Sequence, residues 1–131
     1  MPRPLEYIRV FTDGAGESHI ETATITVQSE RFAPPAPPLD VSAVSRAAGW
    51  NLLRFAGDWV GGWHCTPCRQ WMFFLAGRAT VHAGDGSHCD LTAGSICLLE
   101  DTWGTGHLTT IIGGEEVLTV AVRIPDDEPS V

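Results

Sequence analysis

The chain has 131 residues, 44% of them hydrophobic and 18% charged, with 14 glycines; this size and composition give one turn-rich domain that can bury a core without disulfides or a structural metal, and count against a disordered chain. Sixteen acidic residues against eight basic ones leave a formal charge of −8, a field that repels phosphate backbones and anionic headgroups and so argues against nucleic acid or a membrane surface as partner. No stretch approaches the roughly 20 apolar residues of a membrane span and the first residues lack an apolar signal-like run, so a cytoplasmic location is expected, with Cys65, Cys68, Cys89 and Cys97 reduced.

In chain order, the two-residue apolar alternation of half-buried strands recurs in short pieces. Residues 7–12 read as a first strand, Asp13-Gly14-Ala15-Gly16 as a turn, and the β-branched run 19–27 as a second strand. Residues 32–38 hold four prolines, which cannot donate ladder hydrogen bonds, so this piece is an extended crossing or a loop. Residues 41–48 read as a short helix or turn, and Arg46 and Arg54 leave room for a local basic spot. From Trp50 onward strands are expected at 50–55, 60–64, 70–75, 79–83, 87–91, 95–99, 107–112 and 117–124, separated by glycine-bearing turns. The acidic run Asp126-Asp127-Glu128 reads as a frayed, solubilising end. Many short strands without a long helix predict an all-β fold, an antiparallel barrel or two-sheet jelly roll. It is one domain over 1–131, with N-terminal strands and a Pro-rich crossing at 1–38, the barrel core at 50–124 and an acidic tail at 125–131.

Chemistry concentrates in Trp63-His64-Cys65-Thr66-Pro67-Cys68-Arg69-Gln70-Trp71 and in the later stretch that ends Gly104-Thr105-Gly106-His107. If 64–70 is a strand, His64, Thr66, Cys68 and Gln70 share a face and line the interior, with Pro67 a threat to that register. Imidazole nitrogen and amide oxygen are donors that first-row divalent metals accept. Cys65 and Cys68 form a Cys-x-x-Cys, but the spacing to Cys89 and Cys97 does not make a zinc ribbon, and the α/β setting of a redox pair is missing.

These segments resemble the two motifs of the cupin family. The first, His-x-His-x3-4-Glu-x6-Gly, is matched by His64, Thr66 in place of the second histidine, Gln70 in place of the glutamate, and Gly77; His107 takes the histidine of the second motif. Gly16-Glu17-Ser18-His19, residues 63–70, Asp85-Gly86 and residues 100–107 further resemble a subgroup of small cupins, over residues of roughly 11 to 110. The resemblance implies a double-stranded β-helix, a homodimer, and a divalent transition metal (iron, manganese, nickel, zinc or copper) held by His64, Gln70 and His107. It implies catalytic roles for His64 and His107, with His19 as a supporting donor or general base, and a substrate pocket walled by Trp63, Thr66, Cys68 and Trp103. Thr66 and Gln70 depart from the family pattern, and both losses weaken metal affinity unless Cys68 or a substrate anion supplies charge. Three functions follow: a metal-assisted lyase, isomerase, decarboxylase or oxygenase acting on a small organic molecule; a non-catalytic small-molecule-binding or sensory protein; and a metal-free acid–base enzyme using His64 or His107.

Overall fold

The computed structural model describes residues 2–129. Among them there is no helix, and hence none long and apolar enough to cross a membrane. The strands are β1 Leu5–Thr12, β2 Ser18–Ile25, β3 Val27–Glu30, β4 Leu39–Ser42, β5 Gly49–Phe55, β6 Gln70–Ala76, β7 Arg78–Ala83, β8 His88–Thr92, β9 Ile96–Leu99, β10 His107–Ile111 and β11 Val117–Arg123. They form a six-stranded sheet in the order β2-β1-β9-β6-β11-β5, a three-stranded sheet in the order β10-β7-β8, and the β3-β4 hairpin.

Alternation decides what is buried. Met72 and Phe74 on β6, Leu99 on β9 and Val117 on β11 meet Val81 on β7 and Leu91 on β8 in one core, so the two larger sheets pack against each other as in a β-sandwich. No sheet closes on itself into a barrel. The all-β expectation is met at this level.

One pairing sets the plan: β1 lies parallel to β9, with Ile8, Arg9 and Val10 opposite Cys97, Leu98 and Leu99, which places the N-terminal hairpin inside the large sheet. A buried charge cluster fastens the same junction. Glu100 accepts from Arg9 Nε at 2.6 Å and from Arg69 Nε at 3.0 Å, and both carboxylate oxygens are thereby neutralised.

Four local expectations need correction. Residues 60–64 form no strand, only bridges from Val60 to Thr110 and from His64 to His107, because Gly61-Gly62 interrupts the extended run. The helix or turn expected over 41–48 is partly strand, since Val41 and Ser42 end β4 opposite Gln28 and Val27 of β3. The tail is tied down as far as Pro129: Arg69 donates to the carbonyl of Glu128 and, at 2.9 Å, to that of Pro129. Arg46 pairs with Asp127 and Glu128, and Arg54 with Glu116, so neither forms a free basic spot.

Candidate functional site

A cavity of about 230 Å³ opens between the two packed sheets. Leu53 and Phe55 from β5, Phe74 from β6, Val81 from β7 and Ile111 from β10 give it an apolar wall, and Trp59, edge-on to Phe55 at 5.0 Å between ring centroids, closes one side. The polar lining consists mainly of His64, Thr66, Gln70, His107 and Thr109, and contains no arginine.

The two histidines are brought together by backbone. The N–H of His64 donates to the carbonyl of His107 at 3.1 Å, and the N–H of His107 donates to that of His64 at 2.9 Å, which sets the ring centroids 4.7 Å apart. Outer hydrogen bonds then fix which ring atom is free. His107 Nδ1 lies 2.6 Å from Asp101 Oδ2, and His64 Nδ1 donates to the Gly62 carbonyl at 2.9 Å. Each neutral imidazole therefore keeps its lone pair at Nε2.

The amide of Gln70 is oriented by the same accounting. The Thr66 hydroxyl donates to the Cys68 carbonyl at 2.7 Å, so it can only accept from Gln70, and the amide nitrogen of Gln70 stands 3.1 Å from it. The amide oxygen is left for the cavity. His64 Nε2, His107 Nε2 and Gln70 Oε1 thus make an acceptor-only set.

Behind this set sits Asp101, fully buried, whose Oδ1 has no hydrogen-bond partner. Its Oδ2 takes the Nδ1 side of His107 and so orients that ring, leaving Nε2 as the atom turned away from Asp101.

The loop carrying His107 depends on glycine at two places. Gly104 and Gly106 have φ of 81° and 75°, and a Cβ at Gly106 would strike the His64 carbonyl, while one at Gly104 would strike that of Gly16. Ser18 stitches this loop to its surroundings. Its buried hydroxyl donates to the Gly106 carbonyl at 2.6 Å and accepts from the Gly84 N–H at 2.7 Å, and Thr105 N–H donates to the Gly16 carbonyl at 2.9 Å. The Gly16-Glu17-Ser18 element therefore acts as a support for the His107 loop.

His19, expected as a supporting donor or general base, is not part of the cavity lining. Its ring bridges Asp13 Oδ2 at 2.7 Å and Asp85 Oδ2 at 2.9 Å, and these bonds, that to Asp13 first, raise its pKa above 6.5. The hydrogen bond from His19 lowers Asp13 in turn, helped by the amides of Ala15 and Glu17. Asp13, Glu17 and His19 do place three potential metal-ligand atoms within 4.8 Å of one another on the exposed surface. Both imidazole nitrogens are already engaged, which makes His19 an ion-paired clamp.

Of the expected pocket walls, Thr66 lines the cavity, whereas Trp63, Cys68 and Trp103 do not. Trp63 and Trp103 are exposed, and Trp103 packs on Gly16. Cys68 drops out because residues 65–69 are irregular, so the two-residue strand period does not apply, and Pro67 takes a place in the lining instead. Cys97 also lines the cavity, but complete burial pushes its thiol far above the usual range and keeps it protonated. Two residues not singled out from the sequence matter here. Asp101 was visible as an acid six residues before His107, and Trp59 as an aromatic before a Gly-Gly pair.

Comparison with models of known protein families gives no match, and a search of curated proteins finds none that matches this sequence.

Proposed function

We propose that the chain is a cupin-type jelly-roll enzyme whose cavity takes a small organic substrate with an apolar body and one oxygen-bearing end, and that His64, Gln70 and His107 hold a divalent transition metal at that end. The observation that carries this reading is that His64, Gln70 and His107 line one cavity, each with an acceptor atom left over from its hydrogen bonds to the chain, while Asp101 beside His107 keeps one unpartnered oxygen. The donor set fits such an ion: two imidazole nitrogens, one amide oxygen, and a carboxylate that orients one imidazole from behind. When bound, the metal supplies a Lewis acid for a carbonyl or enolate oxygen. The chain's own residues do the remaining work. The wall of Leu53, Phe55, Phe74 and Trp59 excludes water and orients the apolar body, and Asp101 holds the tautomer of His107. At about 230 Å³ the cavity falls below the roughly 300–1,000 Å³ of ordinary ligand pockets, so the substrate is small, and a lining without arginine suits an unphosphorylated one.

Elemental analysis after reconstitution with iron, manganese, nickel, zinc or copper tests the reading. About one equivalent of one metal is expected, and His107→Ala should lose most of it. Less than about a tenth of an equivalent throughout would sink the metal, and full retention by His107→Ala would show the ligands to be elsewhere.

A second reading rests on the 2.6 Å contact between Asp101 and His107. Without a metal, His107 accepts a proton at Nε2 while Asp101 stabilises the imidazolium that forms. Activity indifferent to chelators selects this alternative.

A further inference from the structure

The cavity has the size of one ring. An apolar space of roughly 150 Å³ holds benzene, and at the same room per atom a cavity of about 230 Å³ holds about nine heavy atoms, a six-membered ring with short substituents. Two linked rings exceed it. Phe55, Trp59, Met72 and Phe74 line the space, and three aromatic side chains with a thioether favour a flat, polarisable body over a branched aliphatic one.

The polar end selects a hydrogen. Once their bonds to the chain are made, His64 and His107 keep a lone pair at Nε2 and Gln70 keeps its amide oxygen. An ether or carbonyl oxygen set against them meets lone pairs with no hydrogen between, and the desolvated acceptors are left unsatisfied. A carboxylate fares worse, since no arginine lines the cavity, the chain has no lysine, and Asp101 lies behind His107. A neutral hydroxyl supplies the hydrogen. Its oxygen, once deprotonated, also suits a divalent ion at the same end.

Trp59 marks the outer limit. It stands in the irregular stretch between β5 and β6, with its ring edge-on to Phe55 at 5.0 Å between centroids. Glycine makes that place available: a Cβ at Gly61 would strike the Trp59 ring, and one at Gly57 would strike the Gly114 carbonyl. The Trp59 N–H donates to the Ala56 carbonyl at 2.9 Å, which closes the turn that presents the ring. A smaller side chain at this position opens room on the side of Phe55.

We propose that the ligand is a neutral monocyclic phenol of up to about nine heavy atoms, with its hydroxyl at His64, Gln70 and His107 and its ring against Trp59, the residue that sets the upper size. This rests on the cavity being the ligand site and is independent of the metal. Titration calorimetry on the full chain, chelator-treated and again after metal reconstitution, compares para-ethylphenol with para-methylanisole and benzoate, which match it in size, and with the longer para-phenylphenol. Para-ethylphenol should bind about 10-fold or more tighter than each of the other three. Trp59→Ala should reverse the order of para-ethylphenol and para-phenylphenol, with an unchanged far-UV circular dichroism spectrum. Because that variant can fail by misfolding, the comparison among the four compounds stands on the unmodified chain. No binding of para-ethylphenol, equal binding of the anisole or benzoate, or an unchanged size order in folded Trp59→Ala would each overturn the proposal. Phenol binding without metal uptake would sink the metal and leave the ligand class standing; metal uptake without phenol binding would do the reverse.

Discussion

At the proposed metal site Asp101 is the residue to test first, because only its Oδ2 has a side-chain partner, His107, while its buried Oδ1 has none. Replacing it with asparagine keeps the shape but removes the charge and lets the amide nitrogen face His107. Asp101→Asn should lower metal affinity by roughly 10–100-fold, read by competition with a chromophoric chelator, while leaving the fold intact. His19 gives the pH response of the surface. Its pKa is raised in the folded chain, so the stability it contributes is complete below its ordinary value of 6.5 and is lost as pH climbs through the higher folded value. Asp13 is lowered, so the same clamp also weakens in acid, as pH falls through the depressed carboxyl. Denaturation midpoints should therefore fall as pH rises from about 6.5 through the higher folded value, and His19→Gln should flatten that part of the profile. At this scale His64, Gln70 and His107 were readable because they stand in motif order. The two aspartates that hold His19 were not readable, because a histidine in a motif-like element looks the same whether it faces a cavity or two carboxylates.

Among the elements, the loop of residues 104–106 is the one that cannot be exchanged. Gly106 sits against the His64 backbone at a left-handed φ, so a methyl group there acts on the geometry of both histidines. Gly106→Ala should cost at least about 1 kcal/mol in chemical denaturation and, if the proposed site holds a metal, should lower its loading. Strands were legible where alternation was undisturbed, as in β7. The reading failed at 60–64, where Trp59 and Val60 suggest a strand but Gly61-Gly62 allows only two isolated bridges. It failed again at Cys68, since a side chain's direction follows from alternation only inside a strand. The hairpin of β3 and β4 was hidden by its prolines, which lie in the connection between the strands.

For the whole molecule, the sequence announced a β-rich and acidic chain, and the structure shows two packed sheets with most carboxylates on loops and edges. The inward face of β6 was not legible, because a run such as Gln70-Trp71-Met72-Phe73-Phe74-Leu75 is apolar at every position after the first and does not say which side meets the core. Met72 and Phe74 take the core side. The parallel contact of β1 with β9 has a last consequence, in time. Residues 8–10 pair with residues 97–99 and Ser18 reaches Gly106, so the support of the pocket rests on contacts that close most of the chain. Folding of this kind belongs to the slow, millisecond-to-second class of β topologies.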